Sequence, residues 1–148
     1  MRRSSFIAAC LMSVLLLLCG AGTAAVASSS VPVTIQSTII VGPFTGTWSA
    51  SGGINDSGTL AEPSVNFVGN GQLHIVREVT GSRGTFTLRI DSSLSGIEPD
   101  GSADFIGHWV VIAGTGGYAT LHGQGTRTAV VAPNDVVTET LTGRVHFD

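Results

Sequence analysis

Residues 72–91 alternate in polarity with a period of two on both sides of a glycine, a pattern that few folds accommodate. Leu73, Ile75, Val79, Phe86, Leu88 and Ile90 fall on one face; Gln72, His74, Glu78, Arg89 and Asp91 fall on the other. Successive side chains of a strand point to opposite sides of its sheet, so the run reads as two half-buried antiparallel strands. A two-residue primed turn at Gly81-Ser82 sets Thr80 opposite Arg83. In that register Leu73 faces Ile90, Ile75 faces Leu88, Arg77 faces Phe86 and His74 faces Arg89. A slip of one residue would turn the apolar face to water.

The same period recurs elsewhere. Val33, Ile35, Ile39 and Val41 mark a strand interrupted by Ser37, and Phe44 to Ala50 mark another. Ser64–Val68 suggests a shorter strand, followed after the hairpin by Ala103–Ile112, Thr126–Val131 and Val137–Phe147. Gly42-Pro43, residues 51–58, Gly69-Asn70-Gly71, residues 92–102 and Pro133-Asn134-Asp135 carry turn and loop chemistry. Asn55-Asp56-Ser57 fits a glycosylation sequon, and its composition reads as a turn. Seven or eight strands with short turns, and no helical period beyond residue 27, predict an all-β chain closed into an antiparallel barrel.

The first residues have a different character. Met-Arg-Arg-Ser-Ser precedes an apolar run from Phe6 to Leu18, and Ala25-Val26-Ala27 supplies a small-x-small site. These are the three regions of a secretory signal, predicting residues 1–27 as a cleaved leader and 28–148 as a single secreted domain. The run is short for a membrane span. A lipoprotein signal at Cys19 is the rival reading, with Leu18 poorly suited to the position before it. Cleavage after Ala27 discards Cys10 and Cys19 and leaves five arginines, no lysine and ten acids, a net charge of −5. That balance argues against nucleic acid and anionic membranes, which need basic patches. It leaves self-association open.

Between two apolar strands lies Ala113-Gly114-Thr115-Gly116-Gly117-Tyr118-Ala119-Thr120-Leu121-His122-Gly123-Gln124-Gly125. Glycines this dense imply a tight corner, with positive φ or crowded backbone at Gly114, Gly116, Gly123 and Gly125. The pattern Gly-Thr-Gly-x-Tyr-x-x-Leu-x-Gly-x-Gly resembles the allene oxide cyclase and dirigent-like β-barrels over residues 44–147. The resemblance implies an apolar, aromatic or lipid-like ligand in the lumen, but maps none of those families' catalytic residues onto this chain. Gly46-Thr47-Trp48 is similar to the first strand of avidins, although only Trp48 and Trp109 are present to wall a biotin site.

Arg77 and Glu139 each interrupt an apolar face. In a closed barrel both point inward, where an unpaired charge costs several kcal/mol. They predict a structural pair, or charges near the barrel ends that reach solvent or block edge pairing, or a lumenal site in which Arg77 grips an anionic or carbonyl group and Glu139 orients it or acts as acid or base. Phe44, Trp48, Phe105, Trp109 and Tyr118 are the candidate walls of an apolar pocket, or else core filling. His74, His108, His122 and His146 show no ligand spacing, so neither a metal nor a cofactor is expected. The leading expectation is binding of a small apolar or aromatic molecule. A cyclase or isomerase in the same lumen and a fully packed structural barrel are the alternatives. A lumen of roughly 300 Å³ or more would separate the first two from the third.

Overall fold

The computed structural model describes residues 28–148; the segment 1–27 expected as a leader, with both cysteines, lies outside them. Eight strands follow in order: β1 (Val31–Ile40), β2 (Thr45–Gly52), β3 (Asp56–Gly69), β4 (Gln72–Gly81), β5 (Gly84–Ile97), β6 (Ala103–Gly114), β7 (Leu121–Val131) and β8 (Val136–Phe147). Each pairs antiparallel with the next, and β8 returns to β1, closing the barrel. Closure leaves no open sheet edge. Alternation sends Ile35, Ile39, Leu88, Ile90, Leu141 and Val145 into the core. It sends threonines out, in directly opposed pairs such as Thr126–Thr142 and Thr128–Thr140. Among the described residues no helix is long and apolar enough to cross a membrane.

The hairpin faces follow the sequence expectation, but its register does not. Gly81 pairs with Gly84 and Ile75 with Ile90, so the ladder is displaced by two residues from the expected one. A two-residue displacement preserves which face is apolar, and so polarity alone could not detect it. The turn residues are Ser82-Arg83, held by a distant carboxylate. Asp56 Oδ1 accepts from the Ser82 hydroxyl at 2.8 Å and from its backbone N–H at 3.2 Å. His74 consequently faces Asp91 rather than Arg89, with Nδ1 2.5 Å from its carboxylate.

Two elements run longer than their composition suggests. β5 continues through Ser92 to Ile97, and only residues 98–102 turn. β3 begins at Asp56 and spans 14 residues. Between Ala61 and Ser64 its ladder shifts by one residue against β4. Pro63 lies in that shift, where a β-bulge excuses its missing N–H. The bulge breaks the alternation that would have revealed the strand.

The glycine-rich corner is also shorter than expected. One 3₁₀ turn, Gly116–Tyr118, separates β6 from β7, and Gly116 has φ 57°. Gly123 and Gly125 belong to β7, not to the corner. Across the ladder from Gly125 stands Gly143. A Cβ on Gly143 would lie 2.1 Å from the Gln124 carbonyl and 2.7 Å from Trp109 Cζ2. The missing side chain makes room for the indole, whose Nε1 donates to the Thr142 carbonyl at 3.3 Å. Gly143→Ala should therefore destabilise by roughly 1–3 kcal/mol through overpacking. Urea denaturation checks this; a variant as stable as the parent would contradict it.

Candidate functional site

β6 runs from one end of the barrel, where Ala103 and Phe105 lie, to the other, where the 3₁₀ turn begins. The 3₁₀ end is filled with aromatics. Phe86 meets Trp48 edge-on at 5.4 Å and Tyr118 at 5.0 Å. Tyr118 stacks on Phe147, and the Arg83 guanidinium lies 5.3 Å from the Tyr118 ring centroid. The phenol donates to Asp56 Oδ2 at 2.6 Å. That bond, helped by the Ser82 and Ser57 donors, holds the Asp56 carboxyl well below the usual carboxylate range. Burial first, and Asp56 second, push the Tyr118 phenol above its ordinary 10.0.

Arg77 and Glu139 do meet inside the barrel. Arg77 Nη1 donates to Glu139 Oε1, and Nη2 donates to Oε2 at 3.2 Å. Two further charges join them. Glu62 Oε1 accepts from Arg77 Nε at 3.0 Å and from Nη2 at 2.5 Å. Arg127 donates from Nε to Glu139 Oε2 at 2.7 Å and from Nη1 to Ser92 Oγ at 2.8 Å. The chain of contacts is thus Glu62–Arg77–Glu139–Arg127, two positive and two negative groups. All four side chains are at least nine-tenths buried. Burial opposes ionisation of Glu139, but Arg77 and Arg127 outweigh it and hold the carboxyl below its ordinary 4.5. Burial likewise opposes the Arg77 charge, and Glu139 and Glu62 outweigh it.

Glu62 and Arg127 escaped the sequence analysis for identifiable reasons. Glu62 sits at the β3 bulge, in phase with Leu60 but out of phase with Val65 and Phe67. Arg127 lies in phase with Leu121 and Val131, but Gly123, Gly125 and Ala129 leave that face with little apolar signal. The available clue was the shared parity of Leu121, Arg127 and Val131. Ser37, opposite Glu139 in the β1–β8 ladder, keeps a buried Oγ without a hydrogen-bond partner among the described residues.

Beyond the ion cluster the lumen is not filled. A cavity of about 300 Å³ opens at the Ala103 end. Its walls include Ile39, Phe44, Phe67, Leu73, Phe105 and Val137, and its two charged liners are Glu62 and Arg127. Of the expected wall residues, Phe44 and Phe105 line it. Trp48, Trp109 and Tyr118 are buried in the packed part of the barrel instead. Arg77 and Glu139 lie behind it, engaged with each other and with the liners. The histidines sit elsewhere: His122 stacks on His146 at 5.1 Å and reaches Asp148 at 3.0 Å. No group of three or more metal-ligating side chains among the described residues is arranged to hold an ion.

No protein-family model, curated protein or solved structure matches the chain.

Two predictions concern the cluster. Arg77→Met leaves a net negative charge in the lumen and should destabilise by about 3–5 kcal/mol, the usual cost of breaking a buried pair. Adding Glu139→Leu restores neutrality and should recover part of that loss, as a double-mutant cycle by urea denaturation would register. Losses that simply add would contradict the coupling.

The pH dependence follows from the signs of the shifts. Glu139 and Asp56 are depressed in the fold, so their stabilisation is present above about pH 4.5 and is lost on acidification. Tyr118 is raised, so its share is present below pH 10.0 and is lost above it. The thermal midpoint should form a plateau near neutrality and fall on both sides. A midpoint unchanged between pH 7 and pH 3 would contradict the acid limb.

Proposed function

We propose that this is a secreted barrel that binds a small, largely apolar molecule in the cavity at its Ala103 end. One observation carries the reading: the barrel is packed with aromatics at one end, yet keeps about 300 Å³ open at the other. An eight-stranded barrel is just wide enough either to fill with side chains or to hold one small ligand. Ligand sites start near this volume and combine apolar walls with a few placed polar groups, as Phe105, Val137, Glu62 and Arg127 do here. The resemblance of the glycine-rich stretch to allene oxide cyclase and dirigent-like barrels, with their hydrophobic ligands, points the same way. Binding is favoured over turnover because both oxygens of Glu139 are held by arginines, leaving it no lone role as an acid or base.

Ala103→Trp places an indole in the cavity at a strand end. It should reduce the affinity for apolar probes at least about tenfold, equivalent to 1.4 kcal/mol, while leaving the far-ultraviolet circular dichroism unchanged. Calorimetric titration with 1-octanol provides the check. Equal affinity in the folded variant would contradict the proposed location.

A further inference from the structure

We infer that the polar end of the cavity's ligand is an uncharged group that both donates and accepts hydrogen bonds, an alcohol or a phenol, seated against Arg127 and Glu62. The inference rests on the binding role proposed above and specifies its chemistry. Every side-chain nitrogen and oxygen in the middle of the ion cluster is hydrogen-bonded, and the unbonded atoms lie at its two ends. Arg77 uses Nε, Nη1 and Nη2 within the cluster, and both oxygens of Glu139 are taken. Arg127 bonds through Nε and Nη1, but its Nη2 makes no hydrogen bond with the described residues. Glu62 bonds through Oε1 alone, and its Oε2 makes none. These two residues are also the charged members of the cavity lining, and their side chains are only 4% and 6% exposed. An unbonded guanidinium nitrogen and an unbonded carboxylate oxygen therefore border an apolar space.

The charge balance decides which ligand they suit. Two arginines and two glutamates sum to zero, so an entering carboxylate would leave the buried site at −1 and an ammonium would leave it at +1. Either ion surrenders its hydration for a cluster whose countercharges are already committed. A hydroxyl keeps the sum at zero. It can accept from the guanidinium or donate to the carboxylate, and hydrogen bonds to charged partners are the stronger kind. An ester or hydrocarbon could satisfy at most one of the two.

The test uses four probes of one chain length against residues 28–148: 1-octanol, octanoate, octylammonium and methyl octyl ether, by calorimetric titration at pH 7. Octanol should bind about tenfold tighter than either ion, and several-fold tighter than the ether, which accepts but cannot donate. Ala103→Trp, titrated in parallel, should weaken all four. Octanoate or octylammonium binding as well as octanol would overturn the neutral-head assignment while leaving the cavity's binding role intact. Equal affinity for octanol and the ether would overturn the donor–acceptor assignment. Binding of none of the four would overturn the binding role itself, and so would affinities unmoved in the folded Ala103→Trp protein.

Discussion

Charges enclosed by a barrel must neutralise one another, and this constraint governs the interior of the molecule. Removing a carboxylate or guanidinium from water costs several kcal/mol even after relaxation, and only close opposite charges with satisfied hydrogen bonds offset that cost. Glu62, Arg77, Arg127 and Glu139 meet both conditions through a run of charge-assisted contacts. They come from β3, β4, β7 and β8, and the Arg77–Glu139 contact ties the β3–β4 pair to the β7–β8 pair across the lumen, strands that are not neighbours in the ladder. Apolar burial is non-directional. A network of this kind is satisfied only when these strands sit in their observed registers.

The cluster also divides the lumen. Toward the 3₁₀ turn the space is taken by Trp48, Phe86, Trp109 and Tyr118, with the last anchored through Asp56 to the Ser82-Arg83 turn. Toward Ala103 the side chains recede and the cavity opens. The four charges stand at this boundary, where they cannot be replaced singly without stranding a partner. Polar groups placed at the floor of an apolar pocket orient a guest more than they attract it. The same residues thus serve the fold on one side and the proposed guest on the other.

Much of this was legible in the sequence, through parity. The closed all-β architecture, the faces of β4 and β5, and the inward direction of Arg77 and Glu139 all follow from a period of two. What parity does not carry is translation along a strand. The hairpin register slid by two residues because a carboxylate 26 positions earlier, Asp56, fixes the turn. Glu62 was hidden by the bulge beside Pro63, and Arg127 by the glycines around it. The glycine-rich stretch looked like a corner because composition reports glycine without its reason. Within β7 that reason is the close approach of the Val145 side chain at Gly123 and of the Thr142 carbonyl at Gly125, and within β8 it is the Gln124 carbonyl and the Trp109 indole at Gly143. Which aromatics would wall a pocket was equally illegible, since Phe105 and Trp109 share one face of β6 and differ only in depth along the barrel.

The division of the lumen can be observed directly by nuclear magnetic resonance during a titration with 1-octanol. Arg127 lines the cavity, whereas the indole N–H groups of Trp48 and Trp109 are committed to the Thr80 and Thr142 carbonyls in the packed end. The account predicts saturating shifts at the Arg127 Nε–H and at the methyl groups of Val137 and Ile39, with both indole signals unmoved. Shifts at the two indoles with a silent Arg127 would contradict it.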